Sequence, residues 1–405
     1  MEAVEDGVGE DHTTAIFPIS VFRIKSGINR NKDDKNYDLF QLAKKVTATR
    51  FFPNFINLDA TFNQNELWVE EDYENRWKYE NSTMGCRTRV FENINGEKSG
   101  VSRGNASFTS LNLVRLGIES NIKFINKESR IKEFFNQLEK LMIRTKNQLL
   151  ERFEWQQSAY SIQFPYVAKQ LKGVTEDTMK ESLKNSTLGI GFIGLAETLV
   201  CLIREHHGES EEAQQLGLEI VKFMHDKAVQ FKNEHQLNFS ILATPAEGLS
   251  YAFTDSDKRI YGEIKGVTDR GYYTNSSHVP VYFEIDPFEK IRIEAPYHQY
   301  ELGGHIGYIE MDGNPLDNME AMDSIIDYAL DMNMGYISIN HEDNYCECGH
   351  QFLGKDTTCP KCGSTNTKKV ARITGYLIGN MDKWNRGKKL EQQDRVTHVK
   401  SSQRL

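Results

Sequence analysis

Apolar residues recur at helical spacing over three long segments of the chain. Positions three and four residues apart fall on one face of a helix, so this pattern predicts amphipathic helices. The segments span residues 128–158, 211–236 and 318–333. A shorter helix is predicted after Asn36, with Asp38 as its N-cap and Gln41 completing a capping box.

Short apolar runs with strand character separate these helices. We predict strands at residues 15–22, 238–243, 279–285, 290–295, 305–311 and 336–340. Pro18 argues against a central position in a sheet for the first of them. Residues 81–118 are rich in Gly, Ser, Asn and Arg, and we predict a long functional loop there. Helices that alternate with strands indicate an α/β architecture.

The composition is typical of a folded protein with a large core. The chain has 405 residues, of which 39% are apolar, enough for a large domain with a small module. The formal net charge of −9 gives no electrostatic reason to expect binding to nucleic acid or to a membrane. The most apolar stretch, residues 188–203, contains Glu197 and is too short to span a bilayer. The acidic N-terminus does not have the pattern of a signal peptide.

Four of the six cysteines lie close together near the C-terminus. Cys346, Cys348, Cys359 and Cys362 form two pairs, each followed by a glycine that frees a tight turn. Thiolates at this spacing are typical of a zinc ribbon, so we predict one structural Zn²⁺. The first pair is C-x-C rather than C-x-x-C, which leaves His341 or His350 as alternative ligands. Clustered ligands without a disulfide framework indicate a reducing compartment, and we expect a cytoplasmic protein.

Nine short blocks of sequence, distributed along the chain, are informative when they are taken together. They are residues 84–89 (MGCRTR), 104–109 (GNASFT), 112–117 (NLVRLG), 188–197 (LGIGFIGLAE), 243–250 (ATPAEGLS), 272–280 (YYTNSSHVP), 294–298 (EAPYH), 304–306 (GHI) and 372–377 (RITGYL). Together with the cysteine module, they resemble the large subunit of the anaerobic (class III) ribonucleoside-triphosphate reductases, a glycyl radical enzyme family. The resemblance extends over nearly the whole chain.

The resemblance implies a ten-stranded α/β barrel of the glycyl radical, ribonucleotide reductase-like type, here its C-terminal portion. It divides the chain into a partial catalytic barrel at 1–340 with a cysteine finger loop near 84–90, a zinc-ribbon module at 341–370, and a glycyl radical loop with a tail at 371–405. Proteins of the family are longer at the N-terminus. We therefore expect one part of a split or truncated enzyme, with a separate N-terminal half chain as a candidate partner.

The resemblance also implies the roles of individual residues. Cys86 is expected to carry the thiyl radical that abstracts the 3′ hydrogen of the ribose, and Gly375 to store the radical between turnovers. The Gly375 α-carbon suits this role because the amide and carbonyl beside it both delocalise an unpaired electron. Asn105 is expected to hydrogen-bond the ribose or the reductant. The substrate phosphates are expected to bind the loop formed by Thr244, Ala246, Glu247, Gly248 and Ser250.

Considered without the surrounding blocks, the same residues have simpler interpretations. An isolated cysteine such as Cys86 is usually a buried structural residue, and an isolated glycine such as Gly375 usually marks a turn. Glu294, His298 and His305 are candidates for acid–base chemistry, but packed, hydrogen-bonded roles are the stronger expectation. Cys201 lies in an apolar helical pattern and is expected in the core.

The implied reaction is the anaerobic reduction of ribonucleoside triphosphates to deoxyribonucleoside triphosphates for DNA synthesis. The implied partners are formate or another reductant, a radical-SAM activating enzyme, allosteric nucleotides and a second copy of the chain, in the host cytoplasm if a phage encodes it. One alternative is a catalytically silent fragment that serves as a structural or partner subunit. Another is a nucleic-acid-binding zinc ribbon that uses Lys355, Lys361, Lys368 and Lys369, although few aromatic residues lie between them.

Overall fold

A computed structural model of the chain describes residues 1–9, 12, 14, 17–85, 87–169, 177–354, 356–373 and 383–399. The helices in these ranges are α1 (Glu2–Asp6), α2 (Tyr37–Arg50), α3 (Leu113–Lys123), α4 (Lys127–Ser158), α5 (Pro165–Lys169), α6 (Lys180–Leu183), α7 (Leu195–Ile203), α8 (Glu211–His235), α9 (Leu249–Tyr261), α10 (Pro287–Glu294), α11 (Met319–Asp331) and α12 (Arg386–Asp394). The strands are β1 (Val21–Ile24), β2 (Asn54–Asn57), β3 (Ser82–Met84), β4 (Thr88–Val90), β5 (Gly104–Asn112), β6 (Ser186–Ile193), β7 (Asn238–Ala243), β8 (Gly307–Glu310), β9 (Tyr336–Asn340), β10 (Glu342–Cys346), β11 (Gln351–Leu353) and β12 (Thr367–Ala371).

Two sheets form the larger part of the fold. β5, β6 and β7 pair in parallel in that order. The second sheet has the order β1-β2-β9-β8, with parallel outer pairs and an antiparallel β2–β9 pair in the middle. The segment before β8 joins the sheets, since Gly304 bridges Leu242 of β7 and the Gly303 N–H donates to the Ile241 carbonyl at 2.7 Å. The strands thus follow one another from β5 to β1, as in part of a barrel.

The central strand β6 has a large-residue face and a small-residue face. Leu188, Ile190 and Phe192 are buried in one apolar cluster with residues of α4 and α8. Because side chains alternate across a strand, Gly189 and Gly191 lie on the other face. A Cβ at Gly191 would overlap the Thr244 hydroxyl. The glycines therefore leave room on the face away from the helices, where a site can form.

The second sheet packs against its own helices. Phe40 of α2, Ile325 of α11 and Ile339 of β9 belong to one fully buried cluster. Burial of each such side chain contributes about 1.5–3 kcal/mol relative to exposure. In the part of the chain that the structure describes, none of the helices combines the length and apolar character needed to cross a bilayer.

Most predicted long elements are confirmed. The three long helical segments form α4, α8 and α11, and the strands predicted at 238–243 and 336–340 match β7 and β9 residue for residue. The strand predicted at 305–311 is shorter, Gly307–Glu310. Cys201 is buried in an apolar cluster, as expected.

The predicted loop at 81–118 is wrong. This segment contains β3, β4, the nine-residue strand β5 and the start of α3. Strands are usually recognised by alternation of apolar and polar residues, but β5 has polar residues on both faces: Asn105 and Ser110 on the inner face, and Ser107 on the face toward the helices, where it pairs with Leu188. Small polar residues that line an interior therefore resemble a loop in sequence.

Two other predicted strands are also wrong. Residues 290–295 lie in α10 and the turn after it, because Asp286 caps the helix by accepting hydrogen bonds from Phe288 and Glu289, and Pro287 occupies the first turn. Residues 279–285 form turns and irregular structure.

Two predicted element starts are wrong as well. The helix expected from Asp38 begins at Tyr37, so Asp38 lies inside the first turn, where its charge favours the helix dipole. The first strand begins at Val21 instead of within the apolar run before it.

Candidate functional site

A short hairpin carries the predicted thiyl residue. β3 and β4 pair antiparallel with Met84 opposite Thr88, and Cys86, which falls between them in sequence, lies outside the described residues. Gly85 has a φ of +61°, a left-handed conformation that glycine adopts easily. Thr88 bridges Gly304, and the Arg89 N–H donates to the Gly303 carbonyl at 2.9 Å. The hairpin is therefore anchored where the two sheets meet.

Arg87, next to Cys86, is fully buried. Its Nη1 lies 3.4 Å from the Ala243 carbonyl and 3.5 Å from His278 Nε2. Within the part of the chain that the structure describes, its Nε and Nη2 atoms are buried and have no hydrogen-bond partner. A buried guanidinium with free donors is costly unless something accepts from it, so this position suits an anionic or carbonyl-bearing ligand.

The segment that contains Gly375 is held at both ends. Gly375 itself lies outside the described residues, within 374–382. Just before this stretch, Arg372 donates to Asn340 of β9 at 3.1 Å and to Asn54 of β2 at 2.9 Å. Ile373 and Trp384, on the two sides of the stretch, are buried in one cluster with Ala371. The described residues on the two sides of the stretch therefore pack against each other.

One aromatic ring connects the two predicted radical segments. The Arg87 guanidinium lies 5.6 Å from the centre of the Tyr308 ring, and the Arg372 guanidinium lies 5.5 Å from the same ring. Tyr308 belongs to β8 and is buried. The neighbours of Cys86 and of Gly375 thus contact the same side chain, although they are far apart in sequence.

The predicted phosphate segment follows the carboxyl end of β7. Thr244 is buried, and its hydroxyl is 2.9 Å from the Ser110 hydroxyl of β5. The Ala246 N–H donates to Asn275 Oδ1 at 2.9 Å, and Ser250 Oγ donates to the Glu247 carbonyl at 3.1 Å. Ligands bind at the carboxyl ends of parallel strands, so the position suits a substrate site.

The helix that follows this segment starts without a side-chain cap. Gly248 occupies the N-cap position of α9, and Glu247 and Gly248 are exposed. The first N–H groups of a helix have no partner within it and carry the positive end of its dipole, which suits a phosphate. Asn105 lies elsewhere, on β5, with its Nδ2 atom 3.9 Å from the Met84 sulfur beside the hairpin turn.

The candidate acid–base residues all have protein partners. Burial disfavours ionisation of Glu294, but the charges of Lys290 and His278 outweigh it and hold the pKa of that carboxyl below its usual value. The His298 ring stacks on His305 at 4.2 Å, and its Nδ1 accepts from the Gly335 N–H at 3.1 Å. Burial lowers the pKa of His305 to about 3. These contacts are those of structural groups, as the sequence led us to expect.

Glu301 is an unexpected buried carboxyl near the same place. It accepts a hydrogen bond of 2.6 Å from the Ser277 hydroxyl. Burial raises its pKa to about 8, although the Arg87 charge favours ionisation. At neutral pH the group is therefore largely protonated and can donate a proton or a hydrogen bond.

The four clustered cysteines converge on one point. All four Sγ atoms lie within 4.8 Å of one another, with Cys346–Cys362 at 3.5 Å and Cys348–Cys359 at 3.7 Å. Tetrahedral zinc with Zn–S bonds of about 2.3 Å needs sulfurs about 3.8 Å apart, so this arrangement can hold a metal ion.

The irregular first pair does not prevent this arrangement. Gly349 and Gly363, one after each pair, have φ of +77° and +73°, and each N–H closes a turn on the carbonyl of the leading cysteine at 2.9 Å. The hydroxyl of Tyr345 donates to Asp343 at 2.5 Å instead of facing the sulfurs. His341 bonds the Thr47 carbonyl at 3.1 Å, so it is not a ligand in this arrangement.

The overall fold is that of the anaerobic ribonucleotide reductase barrel. One solved anaerobic ribonucleotide reductase matches with a TM-score of 0.68 at 18% identity, over 95% of this chain and 55% of that chain. The enzyme from Thermotoga maritima in complex with dATP and CTP matches with a TM-score of 0.65 at 18% identity, over 95% and 57%. A hydroxyproline dehydratase from Clostridioides difficile matches less closely, with a TM-score of 0.58 at 12% identity, over 95% and 53%.

Sequence comparison identifies the family. The family model for anaerobic ribonucleoside-triphosphate reductases matches residues 1–398, and the chain belongs to this family of glycyl radical enzymes. The Escherichia coli K12 protein is 32% identical over 416 residues, 98% of this chain and 55% of that protein. The phage T4 protein is 32% identical over 418 residues, 97% and 64% respectively. The chain thus spans little more than half the length of these curated relatives. The predicted family and fold class are confirmed.

Besides Glu301, three side chains at the site were not candidates from sequence. Arg87 and Arg372 lie inside the family-like blocks, and their positions next to Cys86 and near Gly375 were the available signal. Tyr308 has no such signal, since only the folded chain brings it between the two arginines.

Proposed function

We propose that this chain provides the radical residues of an anaerobic ribonucleoside-triphosphate reductase, with Cys86 and Gly375 as a reacting pair. The observation that carries the proposal is the contact of both Arg87 and Arg372 with the Tyr308 ring. Consecutive Cα atoms are about 3.8 Å apart, so Cys86 lies one such step from Arg87 and Gly375 at most about 11 Å from Arg372. Described residues close in sequence to both positions thus contact one buried side chain.

The chemistry is an exchange of hydrogen atoms between carbon and sulfur. The Gly375 radical takes the hydrogen atom from the Cys86 thiol, and the resulting thiyl radical abstracts the 3′ hydrogen of the ribose. The S–H and ribose C–H bonds are similar in strength, so the hydrogen can be returned after the 2′ hydroxyl leaves as water. Formate or another two-electron reductant supplies the electrons, and Asn105 hydrogen-bonds the ribose or that reductant.

The segment from Thr244 to Ser250 binds the substrate phosphates in this proposal. Support comes from its place after a parallel strand and from the uncapped start of α9 at Gly248. Thr244, Ala246, Glu247, Gly248 and Ser250 are the proposed contacts. The space beside Gly248 is open, since a Cβ there would meet no other atom within 4 Å, and the phosphate can therefore approach the backbone.

The four cysteines hold Zn²⁺ as a structural ion in this proposal. Zinc fits best because four thiolates form a closed tetrahedral set with no open position for substrate. Cys346 ends β10, which pairs with β12, and β12 leads directly to Arg372. A bound ion would therefore stabilise the three-stranded sheet of β10, β11 and β12, from which the chain continues to Arg372. Such thiolate sites are kept in reducing compartments, so we propose a cytoplasmic location.

Partners complete the proposed enzyme. A radical-SAM activating enzyme generates the Gly375 radical, and the chain acts as a homodimer regulated by nucleotides. In the described residues, the strand order ends at β5 and at β1, and the chain spans about half of its relatives. Both observations match part of the barrel of the relatives, and we propose that residues equivalent to their N-terminal half are needed to complete it.

A nucleic-acid-binding ribbon is a weaker explanation of the cysteine module. Lys369 pairs with Glu342 at 2.7 Å, which offsets part of the positive charge. Because β12 continues into Arg372, the module serves the barrel rather than standing apart from it.

The proposal is tested by product formation under anoxic conditions. The chain is incubated with a radical-SAM activase, S-adenosylmethionine, formate, a ribonucleoside triphosphate and the N-terminal part of a relative. We expect deoxyribonucleoside triphosphate from the wild type and from Cys201→Ala, a core control, and none from Cys86→Ser or Gly375→Ala. Absence of product from the wild type in the complete mixture would favour the silent-fragment alternative.

A further inference from the structure

A small cavity lies at the amino ends of β6 and β7, on the opposite rim from the proposed substrate site. Its volume is about 40 Å³, and its walls include Thr187 of β6 and Ser240 of β7. Strands rise about 3.3 Å per residue, so the start of β7 at Asn238 is about 20 Å from Thr244. The cavity is therefore separate from the proposed phosphate residues.

The cavity walls carry more positive than negative charge. Arg89, Arg103, Lys232 and Glu92 are its four charged lining residues, apart from the titratable His225. Arg89 already pairs with Glu92 through two hydrogen bonds of 2.6 and 2.9 Å. Arg103 and Lys232 are therefore two cations in excess of the carboxylate.

Arg103 is held in place but not satisfied. Its Nη2 donates to the Glu92 carbonyl at 2.7 Å and to Thr187 Oγ1 at 3.2 Å. Its Nε and Nη1 atoms are buried and have no hydrogen-bond partner among the described residues. Burial lowers the pKa of Arg103 to about 10 and also lowers the pKa of Lys232. Leaving donors of a buried cation unpaired is costly, so an accepting anion would stabilise this region.

We propose that this cavity binds a phosphate-type oxyanion between Arg103 and Lys232. Because Nη2 is already engaged, the Nε–H and Nη1–H groups of the guanidinium are the donors left for an oxygen of a tetrahedral anion, and the ammonium adds a second charge. The hydroxyls of Thr187 and Ser240 provide further donors in the wall. A water needs about 10–15 Å³ of cavity volume. The cavity, with about 40 Å³, therefore has room for one phosphate group and no nucleobase.

The test is a titration of the full chain with inorganic phosphate at constant ionic strength, with chloride replaced stepwise. Thermal unfolding and isothermal titration calorimetry are followed for the wild type, Arg103→Gln and Lys232→Gln. The control is Lys222→Gln, on the same helix α8 but exposed and paired with Asp226. A parallel titration with ATP distinguishes a free anion from the phosphate of a nucleotide.

We expect saturable stabilisation of the wild type and of Lys222→Gln, and a dissociation constant at least tenfold higher in each cavity variant. Tighter binding of ATP that both cavity variants weaken would assign the site to a nucleotide phosphate; equal binding would assign it to the free anion. Lys232 is only partly buried, so its variant keeps the test valid if Arg103→Gln does not fold. Stabilisation that does not saturate, or that is the same in wild type and cavity variants, would overturn the proposal.

Discussion

A single methyl group at Gly304 should displace the hairpin that carries Cys86. Gly304 has a φ of +146°, which L-residues rarely adopt. An added Cβ would lie 2.5 Å from the Arg87 carbonyl oxygen, 2.7 Å from the Thr88 Cα and 2.8 Å from a Leu242 methyl. The leucine can move, but the first two atoms are backbone. Ordinary contact at 3.4 Å therefore requires the hairpin to shift by about 1 Å.

This geometry sets the magnitude of the effect. The backbone conformation costs alanine about 1–3 kcal/mol. Overpacking adds about 1–3 kcal/mol, so Gly304→Ala should lose about 2–6 kcal/mol of unfolding free energy. A reacting group misplaced by about 1 Å can also cost about a hundredfold in rate, so deoxynucleotide formation should fall by that order.

Urea unfolding followed by circular dichroism measures the stability loss. The matched control is Gly262→Ala, at a φ of +81° where a Cβ meets no atom within 4 Å, so it reports the backbone cost alone. That cost is about 1–3 kcal/mol. If Gly304→Ala loses no more unfolding free energy than Gly262→Ala, the contact between Gly304 and the hairpin is not as described.

Three further predictions concern other parts of the chain. Chelation, or the substitution Cys359→Ser, should remove the bound Zn²⁺ and the folded β10–β12 hairpin together, measured by metal analysis and hydrogen exchange, because metal binding at such sites is coupled to folding. The unfolding free energy of the wild type should fall between pH 4.5 and 8, and Glu301→Gln should abolish this fall. With its pKa raised to about 8, Glu301 keeps a proton in the folded chain that it loses above pH 4.5 in the unfolded chain, so the stability linked to it is complete below pH 4.5 and is lost as pH rises. The slope is at most about 1.4 kcal/mol per pH unit, and equal slopes in the variant and wild type would contradict it. Asp257→Asn should cost about 2–3 kcal/mol in urea unfolding, because buried Asp257 accepts from Asn112, Arg115 and Tyr273; no loss would contradict this.

Two features of the sequence made part of the structure predictable: the helical period of apolar residues over long segments and the spacing of the cysteines. α4 and α8 bury one continuous apolar stripe each, so their sequences show the helical period directly. The four cysteines were recognisable because metal ligands need short local spacings, which folding does not alter.

The remaining parts of the fold and of the site could not be predicted, because they depend on local caps and on contacts between distant segments. β5 resembled a loop because its interior face is polar, and α10 resembled a strand because Ile291 and Ile293 alternate while the cap at Asp286 determines the helix. The meeting of Arg87 and Arg372 at Tyr308 joins three remote segments and leaves no local signal. The roles of Cys86 and Gly375 came from family resemblance, and both remain predictions.

The residue that holds the stored radical can be identified directly by measurement. After anaerobic activation by a radical-SAM enzyme, electron paramagnetic resonance should show a doublet from the one hydrogen left on the Gly375 α-carbon. The same doublet should appear in Gly379→Ala, a glycine four residues further on, and be absent from Gly375→Ala. A doublet that persists in Gly375→Ala, or that is lost only in Gly379→Ala, would contradict the account.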